Sequence, residues 1–171
     1  MKTCRSNFLR PTSEKIREAI FDIITPFFTD GSVLDLFAGT GSLGIEALSR
    51  GMDRAVFVDN NPRIISVLKE NIINCQLESQ TEVIGLPVTT GLKILRSRKE
   101  TFKLVFLDPP YRGNLAGRTL LEISESKVLT KDSLVIVEHS SKENIKLFYG
   151  NLRLDDQRQY GQTIISFFVT I

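Results

Sequence analysis

The chain has 171 residues, enough for one domain with a full hydrophobic core. Its hydrophobic content of 42% and charged content of 25% are ordinary for a globular protein, and a net charge of +2 does not by itself mark a nucleic-acid binder. No apolar run reaches transmembrane length and no signal-peptide core stands at the N-terminus. The two cysteines, Cys4 and Cys75, have no metal spacing and give no disulfide framework, so a reducing cytoplasm is the expected setting.

Residues 1–12 read as a basic N-terminal arm, with Lys2, Arg5 and Arg10. Such an arm either stays solvated or touches phosphates near the active face. A leading helix is expected over 13–25, with Thr12 as its N-cap and Glu14 in the first turn, where the helix dipole favours it. Ile16, Ile20, Ile23 and Ile24 follow helical spacing, and Phe21 widens that face. Pro26 ends the helix, and Asp30-Gly31 turns into the core, expected over 33–171.

The core opens on Val33-Leu-Asp-Leu-Phe-Ala-Gly-Thr-Gly-Ser-Leu-Gly44, a buried strand, a glycine turn and a helix. This is the first unit of a doubly wound α/β domain, which binds its ligand at the carboxyl ends of the strands. The glycines literally match the dinucleotide fingerprint. Asp35 argues against a dinucleotide, because its carboxylate would face a pyrophosphate with like charge. It suits a cationic ligand such as S-adenosylmethionine, whose ammonium it can pair with directly or through water. The turn Phe37, Ala38, Gly39, Thr40 and Gly41 is then the expected cofactor cradle.

Ala55-Val-Phe-Val58 is the second strand and ends at Asp59, placed to accept hydrogen bonds from both ribose hydroxyls, with Asn60 beside it. That role is shared by nicotinamide enzymes and methyltransferases. Pro62 opens a helix with Ile65, Leu68 and Ile72 on one face. Glu82-Val-Ile84 is a short third strand. Many methyltransferases carry an Asp or Asn after it, which bonds the adenine amino group; here Leu86 and Pro87 stand there, so backbone groups at Leu86 are expected to supply the polar contact. Arg96, Arg98, Lys99 and Lys103 precede the fourth strand and belong at the opposite rim, as a solvated surface.

Leu104-Val-Phe-Leu107 is the fourth strand and leads into Asp108-Pro109-Pro110-Tyr111. The prolines fix the backbone just beyond the strand. A proline carbonyl and the Asp108 carboxylate are both acceptors and together can hold an exocyclic amino group. Tyr111 offers a face for stacking a base, worth roughly 1–3 kcal/mol. Arg112 and Arg118 lie on the active side and are candidate phosphate contacts. Leu134-Val-Ile-Val137 is the fifth strand. His139, the only histidine, reads as a hydrogen-bonded residue at its end rather than a general base. Leu152 to Arg158 and Thr163 to Val169 read as a closing antiparallel hairpin.

These stretches resemble the class I methyltransferases that modify amino nitrogens of nucleobases, whose signature is (D/N)-P-P-(Y/F/W). More closely, Arg10-Pro-Thr-Ser-Glu-Lys-Ile-Arg-Glu-Ala-Ile-Phe21, the glycine stretch at 33–51 and Asp108-Pro-Pro-Tyr111 resemble the RsmD-type 16S ribosomal RNA guanine-N2 methyltransferases, from about Arg10 to the C-terminus. The resemblance implies a Rossmann-like domain spanning 1–171, with a seven-stranded, mostly parallel sheet in the order 3-2-1-4-5-7-6. It implies S-adenosylmethionine as cofactor, no metal, and a guanine of 16S ribosomal RNA or the assembling small subunit as substrate. Neither a membrane nor an obligate protein partner is expected. Asp108, Pro109, Pro110 and Tyr111 carry the catalytic role, and Arg5, Arg10, Thr12, Arg112 and Arg118 are RNA-contact candidates. Two features depart from the family's pattern: only nine residues precede Arg10, where family members carry a basic, glycine-rich region, and no acid follows the third strand.

Two other readings remain open. Asp-Pro-Pro-Tyr also serves adenine-N6 and cytosine-N4 methylation of DNA or RNA, although the chain lacks room for the recognition domain that DNA enzymes of this signature carry. A non-catalytic nucleotide- or RNA-binding module, or a nicotinamide oxidoreductase, is disfavoured by Asp35 together with Asp108-Pro109-Pro110-Tyr111.

Overall fold

The computed structural model describes residues 11–25, 28–110 and 113–171, with the side chains of 11–13 excepted. Helix α1 spans Pro11–Ile24, and β1 (Ser32–Leu36) follows. Then come α2 (Ser42–Ser49), β2 (Arg54–Val58), α3 (Pro62–Asn74), β3 (Thr81–Ile84), α4 (Val88–Ser97) and β4 (Phe102–Leu107). The chain closes with α5 (Leu115–Ser126), β5 (Leu129–Ser140), β6 (Phe148–Tyr149), β7 (Leu152–Tyr160) and β8 (Thr163–Thr170).

The strands form one sheet in the order β3-β2-β1-β4-β5-β8-β7-β6. The first five pair in parallel; β8, β7 and β6 pair antiparallel. This is the expected doubly wound sheet with its closing hairpin, but with eight strands rather than seven. The extra strand is β6, whose two residues Phe148 and Tyr149 pair with Arg153 and Leu152 at the sheet's edge. It is too short to carry an alternation signal.

Strand alternation sends side chains to two cores. Leu34, Leu36, Val56, Val58, Val105 and Leu107 meet Leu92 and Leu95 of α4 and Leu120 and Ile123 of α5 on one face. Val33, Ala55, Phe57, Leu104 and Phe106 meet α1, α2 and α3 on the other. Helix α1 buries Ile16, Ile20, Phe21 and Ile24, whereas Ile23 turns outward and is 36% exposed. Phe21 meets Phe106 with ring centroids 5.7 Å apart, which fixes α1 over β4. Truncating so large a buried ring to alanine costs about 3–5 kcal/mol.

The end of α1 (Ile23, Ile24) shares a surface groove with Lys131 and Asp132 at the start of β5. The N-terminal end of α1 therefore points to the rim where the parallel strands finish. Because α1 begins at Pro11, Thr12 stands inside the helix rather than capping it. Cys75, the C-cap of α3, is disulfide-bonded, which corrects the expectation of no disulfide. Among the described residues, no helix is long and apolar enough to cross a membrane.

Candidate active site

Strand β1 lies between β2 and β4, and the chain leaves it toward β2 on one side and returns through β4 on the other. Such a switch point opens a crevice above the strand ends. Here the crevice is a cleft of about 780 Å³. Phe37 and Gly39 line it after β1, Asp59, Asn60 and Asn61 after β2, Pro87, Val88 and Thr89 after β3, and Asp108, Pro109 and Pro110 after β4. Leu115, Thr119 and Glu122 of α5 form the facing wall, and Ile64 of α3 also contributes.

The three glycines of the turn do different work. Gly39 has φ 55, and a Cβ there would meet only the Phe37 carbonyl at 3.9 Å, so its surface is open to the cleft. Gly41 has φ 82, and a Cβ would come within 2.3 Å of Leu68 on α3. Gly44 lets α2 approach β2, where a Cβ would lie 2.4 Å from the Phe57 ring. Phe37 also has positive φ, at 59, which is uncommon for a bulky residue and marks the turn as strongly constrained. Asn71 of α3 clamps the turn from behind by donating its side-chain amide to the Thr40 carbonyl at 3.0 Å.

Asp59 joins two turns. Its Oδ2 accepts the Gly39 N–H at 2.9 Å and its Oδ1 accepts the Asn61 N–H at 2.9 Å. Each carboxylate oxygen retains a further lone pair for a ligand hydroxyl. Asn61 caps α3 by accepting the Arg63 N–H. The carboxylate is thus held rigid before any ligand arrives.

Asp35 is buried and does not line the cleft. Its Oδ2 accepts the Gly44 N–H at 3.0 Å, at the start of α2. Burial pushes its pKa well above the usual carboxylate range; the Gly44 bond opposes that shift, while the negative charges of Asp108 and Asp59 add to it. Asp108 is solvent-accessible at the cleft, yet the protein packed around it raises its pKa to about 7, with Glu138 adding like-charge repulsion. The β4–β5 register runs through Leu107 and Val137, so Asp108 and Glu138 leave adjacent strands side by side.

Of the expected cofactor cradle, Phe37, Gly39, Asp59 and Asn60 line the cleft. Asp35, Ala38, Thr40, Gly41 and Leu86 do not line it; Leu86 is 39% exposed, with its N–H bonded to the Ile84 carbonyl. Asp108, Pro109 and Pro110 come together at the cleft, while Tyr111 and Arg112 lie outside the described residues, as do Arg5 and Arg10. Thr12 belongs to α1, with its side chain outside the description. Arg118 is exposed on α5 and donates to the Gly113 carbonyl at 2.8 Å rather than lining the cleft.

Sequence reading missed Leu115, Thr119 and Glu122. They share one helical face at spacings of four and three, the only signal available, and it also describes a core-facing stripe. His139 is buried: its Nδ1 bonds the Ser140 carbonyl and its Nε2 the Ser166 hydroxyl at 2.7 Å. A carbonyl can only accept, so Nδ1 carries the proton and Nε2 accepts from Ser166. Burial keeps this imidazole neutral by lowering its pKa, as befits a structural residue.

A family model described as conserved hypothetical protein 95 matches residues 1–169. YlbH of Bacillus subtilis is 34% identical over 168 residues, covering 98% of this chain and 91% of the relative. Ribosomal RNA small subunit methyltransferase D of Haemophilus influenzae is 36% identical over 135 residues, covering 78% and 69% of the two chains. A solved structure from Streptococcus pyogenes, described as a conserved hypothetical protein, superposes with a TM-score of 0.83 at 32% identity, covering 91% of this chain and 95% of that one. The chain belongs to the conserved hypothetical protein 95 family, the RsmD-type methyltransferases.

Proposed function

We propose that this chain transfers a methyl group from S-adenosylmethionine to the exocyclic N2 amino group of a guanine in 16S ribosomal RNA. The observation that carries the reading is the meeting of Asp108-Pro109-Pro110 with Gly39 and Asp59 in one cleft. A ribose-binding acid and an amino-group acceptor thereby face the same space. The residues fit the cofactor: Asp59 offers spare lone pairs to ribose hydroxyls, Gly39 presents open backbone, and the carboxylates of Asp35, Asp59 and Asp108 favour a cation.

Bound in the cleft, the cofactor supplies an electrophilic methyl on a sulfonium. An acceptor nitrogen taking that methyl would release the sulfur as a neutral thioether and would give up a proton. The chain's residues position the nitrogen. A base amino group is a poor nucleophile because its lone pair is delocalised into the ring. The Asp108 carboxylate and the carbonyl region of Pro109 accept its two N–H groups and turn the lone pair toward the methyl. Most of the rate gain is then positioning and electrostatics. With a pKa near 7, Asp108 is also poised to take the departing proton.

The RNA substrate is supported by the small-subunit rRNA methyltransferase among the relatives. Such a substrate sets the reaction in the cytoplasm. The chain acts as one methyltransferase domain on a structured RNA that presents an exposed base. Arg118, Arg112, Arg10, Arg5 and Thr12 are the proposed RNA contacts, and Tyr111 the proposed stacking face.

The test is incubation with methyl-labelled S-adenosylmethionine and small-subunit rRNA, free or in its assembling particle, followed by nucleoside analysis. Labelled N2-methylguanosine is the expected product. Label on adenine or cytosine would keep the mechanism and discard the guanine.

A further inference from the structure

The third strand is followed by Leu86 and Pro87, so the acid that would meet the adenine amino group is missing from that loop. Part of the loop's backbone is already engaged, the Leu86 N–H donating to the Ile84 carbonyl at 3.0 Å. Pro87 has no N–H, and its carbonyl already accepts the N–H groups of Thr90 and Gly91.

Across the cleft stands a carboxylate. Glu122 of α5 and Thr89 of α4 both line the main cleft, and both also line a smaller cavity of about 140 Å³ behind it. The Thr89 hydroxyl donates to Glu122 Oε2 at 2.9 Å. Both partners of that bond line both spaces, so it lies where the two adjoin, and it gives the main cleft a polar edge in company with the apolar lining residues Pro87, Val88 and Leu115. Apolar sides suit the faces of a flat heteroaromatic ring, and a polar end suits its edge. Thr119, the other polar group on that wall, spends its hydroxyl proton on the Leu115 carbonyl. Glu122 Oε1 is the remaining ionisable acceptor there.

We infer that Glu122, oriented by Thr89, takes the place of the missing loop acid and accepts a hydrogen bond from the adenine amino group of the cofactor. The inference rests on the cofactor reading above. It assigns the adenine contact to the helix after the fourth strand instead of the loop after the third.

Calorimetric titration with S-adenosylhomocysteine and S-inosylhomocysteine tests it without any methyl transfer. The inosine analogue replaces the amino donor with a carbonyl oxygen and places a proton on the neighbouring N1, so the atom facing Glu122 turns from donor to acceptor and the carboxylate repels it. The wild-type chain should prefer the adenosine ligand by about ten- to a hundredfold, as one hydrogen bond to a charged group implies. Glu122→Gln keeps the shape and gains an amide donor, so the preference should collapse or invert. Thr89→Val should weaken the preference by freeing the carboxylate, and unchanged melting temperatures would show that both variants fold. An unchanged preference in Glu122→Gln would overturn the inference while the cofactor reading stands. Failure of the wild-type chain to bind S-adenosylhomocysteine would instead sink the cofactor reading, and the adenine assignment with it.

Discussion

The two rims of the sheet handle charge in opposite ways. At the rim where the parallel strands begin, acids and bases alternate. Arg54 bonds Glu82 at 2.6 Å and Glu100 at 2.5 Å, Arg98 reaches both acids, and Lys103 pairs with Asp30. At the rim where the same strands finish, Asp35, Asp59 and Asp108 have no cation within ion-pair distance among the described residues. The first rim lowers the Glu82 pKa through Arg98 and Arg54; the second raises the pKa of Asp35 through burial and the charges of Asp108 and Asp59, and that of Asp108 through desolvation and the charge of Glu138. The ligand therefore belongs at the second rim. A structural rim neutralises itself, whereas a functional rim keeps charge in reserve for a partner of opposite sign.

The comparison breaks most severely at Asp108. Asp108→Ala should lower methyl transfer by about 10²–10⁴-fold while S-adenosylhomocysteine affinity stays nearly unchanged, because the carboxylate acts on the amino group. Equal losses of rate and affinity would contradict that division. A smaller effect is expected at Asp35. Asp35→Asn keeps the Gly44 bond but removes the buried charge, so cofactor affinity should fall by roughly tenfold, or ~1.4 kcal/mol. Stability of the ligand-free chain should move the other way. The raised folded pKa of Asp35 means that its favourable contribution is present at low pH and lost as pH rises through that value. The melting temperature of the variant should therefore exceed that of the parent, by more at pH 8 than at pH 4.

The pH profile sharpens the same contrast. Asp108 must be ionised to accept its share of the amino N–H groups and then take the departing proton, and its pKa is raised to about 7, so kcat/KM should fall as pH drops below about 7. A profile flat from pH 6 to 8 would remove Asp108 from that role. The opposite rim should give the smallest effect. Arg54→Met breaks two partly exposed ion pairs, and such pairs are worth about 0.2–1 kcal/mol each, so a small drop in melting temperature and unchanged methyl transfer are expected. A rate loss in that variant would mean the two rims are not separate.

Much of the functional rim was legible in the chain because its parts are local. Gly39, Asp59 and Asp108 each sit at a strand end, and a strand end followed by a turn can be read over a few residues. Leu115, Thr119 and Glu122 were not legible in the same way. Their relation to Pro87 and Thr89 exists only once α4 and α5 pack on one face of the sheet, and a helical stripe does not announce which neighbour it meets. Asp35 was legible as a buried acid, but its orientation toward the Gly44 N–H follows from the close approach of α2. Ile23 follows the helical spacing of α1 yet faces outward, because an isoleucine-rich helix fits two faces until Phe21 meets Phe106. Strand β6 owes its existence to the β7 edge and has no pattern of its own.

The charged state of Asp35 and Asp108 at the functional rim is disfavoured until a cationic ligand stabilises it. Calorimetry of S-adenosylmethionine binding near pH 6.5, repeated in buffers of different ionisation enthalpy, counts the protons exchanged on binding. Net proton release is expected, largest near pH 7, where Asp108 titrates, and reduced in Asp108→Asn. Binding with no proton release, or with proton uptake, would contradict it.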